Sequence, residues 1–526
     1  MTPSPKQVRR EASAVGLVVI ALLLLLTGRE PPWGDAQVMY EVAESIVLNH
    51  HVTVGLDFPP QSHRGPDGQL YAQYALMPSL SHVPGVVLRQ ALTRVAPDDW
   101  MMARVVTSHV APAFGLALAA ALGFAFARRR GASRRSSLFG VAILVCATQL
   151  FVHARYPMSE ALQAGAFTGF VIALIRIADG ARTRRAGIAL GVWAGLVVNT
   201  KAVLLLGVAV GLCALLALLW RQRRELAPVV LGLAIGALPM VAIFAAYNYA
   251  RWGNPLDTGY SETLGNMGEA VWVGLMGLFV SPGKGLLWFS PAVVLGGIAL
   301  WRAWRTEKPA VILIAACVVP IVIFYACFLS WSGDYAWGPR YLSFGIPAVM
   351  LLVPPWLDRL HGRRVARSAV YFVFVVGICV QVLGSAVFCN HWIRLSRAAR
   401  IQWLGNPNRA GAPVAEAGRG HCDWCFEDMF GHQWLPAFSQ IAGHAWMVRH
   451  IAMADDWPTA EADAPWRRYT SLDLTEARTF YSRLRFDSWL IDAGRGKTVT
   501  AIWLVLLALV GAAGVWLWRR PRGPPT

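Results

Sequence analysis

Five basic residues stand singly beside the apolar blocks of this chain: Arg155, Lys201, Arg251, Lys284 and Arg340. Acidic residues also recur in the connections between apolar blocks, at Asp35, Asp57, Glu160, Asp257, Glu262 and Asp334. One chemistry suits isolated cations and carboxylates at the rim of a low-dielectric pocket. It is displacement at the anomeric carbon of a sugar whose leaving group is a lipid phosphate. Arg and Lys stabilise charge developing on that phosphate, Arg as a fork and Lys as a point charge. A carboxylate takes the proton of the attacking hydroxyl. Each cation also has a plainer reading, and Arg155 and Arg251 could equally snorkel to headgroups. Lys201, beside a helix break, Lys284, between Pro282-Gly283 and Gly285, and Arg340, after Trp337-Gly338-Pro339, fit the phosphate role better.

The elements that must position these residues are membrane helices. Of 526 residues, 56% are hydrophobic and 15% charged, against about 25% charged in a soluble domain; the mean hydropathy is +0.45. Apolar blocks of about 17–25 residues follow one another through roughly the first 390 positions, each able to cross a ~30 Å hydrocarbon layer. Spans are expected near 14–28, 103–127, 137–153, 159–178, 186–199, 202–220, 227–247, 285–303, 310–330, 341–357, 368–389 and 498–518. The fold class is therefore an all-α polytopic membrane protein with about 12 transmembrane helices. The net charge of +18 sits in loop clusters such as Arg128–Arg130, Arg182–Arg185, Arg221–Arg224 and Arg363–Arg367. They fall after every second block, as cytoplasmic loops require, so both termini are expected inside and the lone cations and acids outside. That distribution excludes a nucleic-acid partner. The basic start, Lys6, Arg9 and Arg10 before Ala14–Thr27, lacks a cleavage site and reads as a retained first helix.

Two outer segments exceed simple connections. The first, residues 29–102, carries an amphipathic stretch, Val38–Leu48, expected along the membrane interface. The second, residues 391–497, holds eight of the 23 tryptophans, at positions 392, 403, 424, 434, 446, 457, 466 and 489. Interfacial anchoring and stacking on sugar rings both suit them. Neither a Walker A sequence nor GxGxxG after a strand is present, which argues against nucleotide-driven transport. Cys422 and Cys425 form a C-x-x-C in an exported, oxidising segment, where a disulfide is the leading reading and thiol exchange, without a thioredoxin-like context, the least favoured. With His421 and His432 the same pair would also suffice as four metal ligands.

An ordered series of short motifs runs through residues 14–390. It comprises Gly34-Asp35 with Ala43-Glu44-Ser45, Tyr71-Ala-Gln-Tyr74 with Pro78, Tyr156-Pro-Met-Ser-Glu160 and Asn199-Thr-Lys201. Tyr247-Asn-Tyr-Ala-Arg251 with Asn254-Pro255 and Gly259-Tyr260, Ser281-Pro-Gly-Lys284 with Ser290-Pro291, and Trp337-Gly-Pro-Arg340-Tyr341 complete it. The series resembles GT-C-fold glycosyltransferases that use polyprenyl-phosphate sugars, bacterial relatives of protein O-mannosyltransferases and of the lipid A aminoarabinose transferase. The resemblance implies Asp35 as catalytic base and Glu160 as second acid of the site. Lys201, Arg251, Lys284 and Arg340 would lie near the donor phosphate, with Arg155 as a further candidate. Two departures stand out, Ala36 where relatives often carry Glu and Gln73 where they often carry Lys.

The sequence thus describes a GT-C-like catalytic module over residues 1–390, an extracytoplasmic Trp-rich segment over 391–497, and a last helix with a basic tail over 498–526. The expected function is transfer of a hexosyl or pentosyl group, with inversion, from a polyprenyl-phosphate donor to a glycan, lipid or protein acceptor outside the cytoplasmic (inner) membrane. No cofactor is demanded, and a divalent metal is left open. The alternatives are a flippase for a lipid-linked saccharide, which should need polar residues at mid-membrane, and a non-catalytic envelope-assembly scaffold.

Overall fold

Chain chemistry marks the helix ends. The Ser4 hydroxyl accepts from the Gln7 amide at 3.2 Å, and Pro5 opens α1 (Pro5–Leu25). A computed structural model describes residues 3–55, 57, 61–95, 100–260, 267–333, 335–404, 431–467, 485–487, 504–508 and 511–512. After α1 comes a layer made of α2 (Asp35–Asn49), an antiparallel hairpin of β1 (Ser62–Arg64) and β2 (Leu70–Ala72), α3 (Leu76–Val95) and α4 (Trp100–Ser108). The bundle follows as α5 (Val110–Arg129), α6 (Arg134–Cys146), short α7 (Leu150–His153), α8 (Glu160–Ala178), α9 (Arg184–Thr200), α10 (Leu205–Leu218) and α11 (Ala227–Trp252). It continues through α12 (Val271–Val280), α13 (Leu286–Phe289), α14 (Val293–Ala303), α15 (Lys308–Ala326), α16 (Ile346–Met350), α17 (Val353–Asp358) and α18 (Arg364–Ala386). Beyond it lie α19 (Cys389–Leu404), α20 (Gln440–Met453) and α21 (Trp457–Ala462).

Helix α8 is the hub. All its residues except Arg176 and Ala178 are buried, and α5, α9, α10, α15 and α16 pack around it. Its apolar residues face every direction, which only a helix walled in by others tolerates. Close approach elsewhere depends on small residues. Gly187, Gly191 and Gly195 recur at four-residue spacing on α9, against Gly232 and Gly236 of α11. A methyl group added at Gly191 would overlap the Leu233 carbonyl oxygen and lie 2.7 Å from the Ala237 nitrogen. Such small-residue seams bring membrane helices into backbone contact.

This is a multi-pass membrane protein. Among the described residues, Ala103–Arg129, Glu160–Ala178, Trp220–Trp252, Lys308–Ala326 and Arg364–Ala386 are long and apolar enough to cross a membrane, and three shorter helices are apolar. The sequence led us to expect about twelve spans. Several of those positions hold interrupted helices instead, because proline breaks the apolar run. Ser290-Pro291 separates α13 from α14, and Pro347 and Pro354-Pro355 shape the broken α16 and α17. The span expected at 498–518 lies mostly outside the described residues. Helix α12, with ten residues, lies where the sequence predicts a connection.

Contacts sort the connections into two ends. At one, Arg130 pairs with Asp179 and Glu307, Arg182 with Glu225, and Ser133 donates to Asp358 at 2.7 Å. Glu11, buried, lies 3.7 Å from both Arg128 and Arg134. All the basic clusters they join therefore share that end. The stretch expected along the membrane interface behaves differently. The apolar stripe of α2 (Val38, Met39, Val42, Ala43) is buried in protein, against Val54, Ala72 and Val86. Tryptophans 392, 446, 457 and 466 are buried as well and form a core of α19–α21, with the Trp392 and Trp466 rings 5.1 Å apart. Those four serve packing rather than anchoring or sugar stacking.

Because Gly191 is sealed by backbone and Gly297 on α14 faces open space, Gly→Ala should have opposite signs at the two sites. Gly191→Ala is expected to destabilise the protein by about 1–3 kcal/mol through overpacking. Gly297→Ala should stabilise it by about 0.5–1 kcal/mol through helix propensity. Thermal unfolding of both variants in one detergent checks the contrast.

Candidate functional site

At the end opposite the basic clusters, four elements bring charge together. Gly34 adopts φ +59°, a conformation glycine takes without strain, and the turn it makes places Asp35 in the first turn of α2. A carboxylate there is favoured by the helix N-terminus. Arg340 opens a 3-10 turn, Arg340–Gly345, and its Nη1 donates to Asp35 Oδ2 at 3.0 Å. The same nitrogen lies 3.8 Å from Oε1 of Glu160, the first residue of α8. Glu160 is buried, and among the described residues its Oε2 has no hydrogen-bond partner.

Lys201 enters from the break after α9. The helix stops at Thr200, Lys201 is extended, and Asn199 Nδ2 holds the turn by donating to the Gly195 and Met240 carbonyls at 2.9 and 3.1 Å. The Lys201 ammonium stands 5.5 Å from the Tyr325 ring and 4.9 Å from the Tyr341 ring. Those two rings stack with centroids 4.3 Å apart. Cation–π attraction holds the charge without removing its donors. The Tyr74 hydroxyl donates to Asp35, and the Tyr260 phenol faces Asp35, Tyr74, Tyr325 and Tyr341.

Electrostatics fixes the protonation states outside the membrane. Burial pushes the Asp35 carboxyl up, but the Arg340 charge, hydrogen bonds from Tyr74 and Arg340, and the Lys201 charge together hold it below the ordinary carboxylate value. Tyr74 is driven well up, first by burial and then by the Asp35 charge, and so keeps its proton to donate. The result is an ionised carboxylate beside two cations, under tyrosine rings, next to a buried carboxylate oxygen with spare acceptor capacity.

The sequence-predicted residues divide. Asp35, Glu160, Lys201 and Arg340 converge. Lys284 is fully buried and donates to the carbonyls of Ala336 at 2.5 Å and Gly338 at 3.4 Å, in the strand of chain that leads to Arg340. Gln149 and Gln440 hold the same strand, donating to Pro339 O at 3.0 Å and Ala336 O at 2.9 Å. Arg251 donates to the Ala72 and Tyr74 carbonyls at 2.5 and 3.0 Å. Arg155 lies elsewhere. It ties the end of α1 to α18 and to residue 487, through the carbonyls of Leu26, Ser385 (2.8 Å) and Asp487 (2.7 Å). Buried arginine and lysine here donate to backbone oxygens, as buried polar groups require. Cys422, Cys425, Glu262 and Asp334 lie outside the described residues. Among the described residues, no group of three or more His, Cys, Asp and Glu side chains is placed to hold a metal ion.

Sequence reasoning missed the tyrosines as a unit. Tyr74, Tyr260 and Tyr341 entered only as letters of motifs, and Tyr325 not at all. A tyrosine near a span end reads as an interfacial anchor, and only the folded chain shows the four sharing one pocket.

No family model and no curated protein matches this chain. Among solved structures it is similar to ArnT from Cupriavidus metallidurans bound to undecaprenyl phosphate, at 15% identity, covering 96% of this chain and 77% of that one, with a TM-score of 0.46. It is also similar to an Archaeoglobus fulgidus oligosaccharyltransferase tethered with an acceptor peptide, at 12% identity, covering 88% and 60%, with a TM-score of 0.44. A third, the oligosaccharyltransferase AglB from Archaeoglobus fulgidus in complex with an inhibitory peptide and a dolichol-phosphate, shares 13% identity over 70% of this chain and 54% of that one, with a TM-score of 0.38.

The lowered Asp35 value carries a pH signature. A carboxyl whose folded value lies below its ordinary value of 3.8 contributes stability that is fully present above that value. The contribution disappears as pH falls through the lowered folded value. The stability gap between wild type and Asp35→Asn should therefore be constant from about pH 5 upward and close below about pH 4. Thermal unfolding of the two proteins across that range gives the measurement.

Proposed function

We propose that this chain is an integral-membrane glycosyltransferase of GT-C-like architecture that takes its sugar from a polyprenyl-phosphate donor. The observation that carries the reading is the convergence of Asp35 and Glu160 with Lys201 and Arg340 in one half-buried pocket at the end of the bundle away from the basic clusters. By the charge rule that end faces outward from the cytoplasmic membrane. The acceptor, a glycan, lipid or protein, would then be extracytoplasmic.

The chemistry follows from the groups present. Asp35, ionised, takes the proton of an acceptor hydroxyl as its oxygen attacks the anomeric carbon. The bond from that carbon to the phosphate oxygen breaks, and its electron pair leaves with the lipid phosphate. Lys201 and Arg340 stabilise the charge that develops there, and cations act most strongly where water is excluded. Glu160, with its buried oxygen, accepts a hydroxyl of the sugar or acceptor and orients it. Attack from the face opposite the phosphate inverts the anomeric centre. Lys284, expected at the phosphate from its sequence context and by resemblance, and Arg251, expected there by resemblance, act in this reading as the frame that holds Arg340 and Tyr74.

Native mass spectrometry of protein released from membranes tests the donor. A co-purified polyprenyl phosphate carrying one sugar supports the transferase, whereas a pyrophosphate-linked oligosaccharide would favour a flippase. With the donor named, Asp35→Asn should lower turnover by about 10²–10⁴-fold, the usual worth of a general base, while lipid-phosphate binding is retained. Lys201→Gln should weaken binding of that lipid. Full turnover by Asp35→Asn would sink the base assignment.

A further inference from the structure

Arg251 looks like a phosphate ligand in sequence, but its surroundings describe another task. Its side chain is 1% exposed. Nη1 donates to Ala72 O and Tyr74 O, and Nη2 donates to Asn248 Oδ1 at 2.7 Å. The guanidinium lies 4.0 Å from the Tyr247 ring centroid and 5.1 Å from that of Trp252. The β1–β2 hairpin is seated on the same spot from the other side. A methyl group at Gly65 would stand 2.5 Å from the Arg251 carbonyl oxygen, and Trp252 packs edge-on to His63 and Tyr71. Ala72 ends β2, and two residues later the chain delivers the Tyr74 hydroxyl to Asp35.

From this juxtaposition we infer that Arg251 is a positioning residue, which clamps the carbonyls of Ala72 and Tyr74 to the end of α11 and so sets the hydrogen bond from Tyr74 to Asp35. The inference rests on Asp35 being the base of the proposed reaction. A planar guanidinium can reach two carbonyls and an amide oxygen at once, and an ammonium cannot keep that geometry. The groups that face Asp35 are Arg340, Tyr74, Lys201 and Tyr260, with Glu160 across Arg340. Of these, Tyr74 alone hangs from the strand that Arg251 holds. Loosening the clamp should remove one stabiliser of the ionised carboxylate and leave both cations in place. Asp35 would then take its proton at higher pH.

The test reads that proton without using sugar transfer. The full chain in lipid nanodiscs is treated with a carbodiimide, which modifies protonated carboxyls, and modification of Asp35 is followed by peptide mass spectrometry against pH. Tyr74→Phe and Arg251→Lys should both raise the midpoint, by about half to one pH unit, as expected when a carboxylate loses one hydrogen bond. The double variant should shift no further than either single one, because both break the same link. Amide exchange over residues 69–74 should accelerate at least tenfold in Arg251→Lys and stay unchanged in Tyr74→Phe. Asn248→Ala, which frees the guanidinium from its other anchor, should shift the midpoint the same way and serves if Arg251→Lys does not fold.

An unmoved midpoint in both Arg251→Lys and Asn248→Ala would overturn the inference, as would additive shifts in the double variant. So would a phosphate role, seen as undecaprenyl phosphate binding that falls in Arg251→Gln as steeply as in Lys201→Gln while the Asp35 midpoint stays put. Failure of the transferase assay is a separate result. It would remove the base role and leave the linkage from Arg251 through Tyr74 to Asp35 standing.

Discussion

The contact on which the site depends is the ion pair between Arg340 and Asp35. Both side chains are mostly withdrawn from water, with 16% and 23% of their surfaces exposed. A pair in that setting is favourable only if its geometry is held and its remaining hydrogen bonds are met. Much of the surrounding architecture meets that requirement. Lys284, Gln149 and Gln440 fix the chain leading to Arg340 through its carbonyl oxygens, and Gly338 donates its amide back to Gln440 at 3.0 Å. On the other side, Gly34 sets the entry to α2, and the Arg251 clamp brings in Tyr74. The two halves of the pair come from positions 305 residues apart, so the first loop and the later bundle are aligned at this one point.

The same frame explains why α8 is walled in. Glu160 is its first residue, and its placement beside Arg340 requires the N-terminal end of α8 to reach the pocket while the rest stays apolar. The 3-10 turn from Arg340 packs directly on α8, and so does α9, whose last residue, Thr200, immediately precedes Lys201. Three of the four charged groups therefore sit on or against a single helix whose position the core dictates. Burial energy holds the helix, and the helix holds the charges.

Much of this was legible in the sequence, and the part that was not has a physical reason. Helical character, the alternation of basic and non-basic connections, and the break at Asn199-Thr200-Lys201 are local properties of composition and spacing. So was the convergence of Asp35, Glu160, Lys201 and Arg340 on one end of the bundle, because span ends bring distant residues to one face. Span lengths were less legible, since prolines such as those at 291 and 354 stand where an apolar run is divided into two short helices. The roles of Arg251, Lys284 and Arg155 could not be read at all. A lone cation at a span end looks the same whether it meets a phosphate, a headgroup or a backbone carbonyl, and only the fold decides which oxygen is nearest. The tryptophans of the C-terminal segment were ambiguous for the same reason. At 392, 446, 457 and 466 they pack against one another, a contact that composition does not encode.

The charge balance of the pocket gives the proposed reaction an internal order. Two acidic side chains, Asp35 and Glu160, face two basic ones, Lys201 and Arg340, with Arg340 in reach of both acids. In the proposed reaction an entering phosphate would compete with Asp35 for Arg340, because a guanidinium offers a phosphate the same bidentate fork it offers a carboxylate. Whatever share of Arg340 the phosphate takes, Asp35 loses part of the strongest charge that favours its ionised form. In that reaction the carboxylate would become a stronger base as the leaving group is seated. Tyr74 and Lys201 still favour its ionised form, so it stays ready to accept a proton. Under the proposed mechanism, base strength would follow donor binding through one nitrogen of Arg340 placed between two acids.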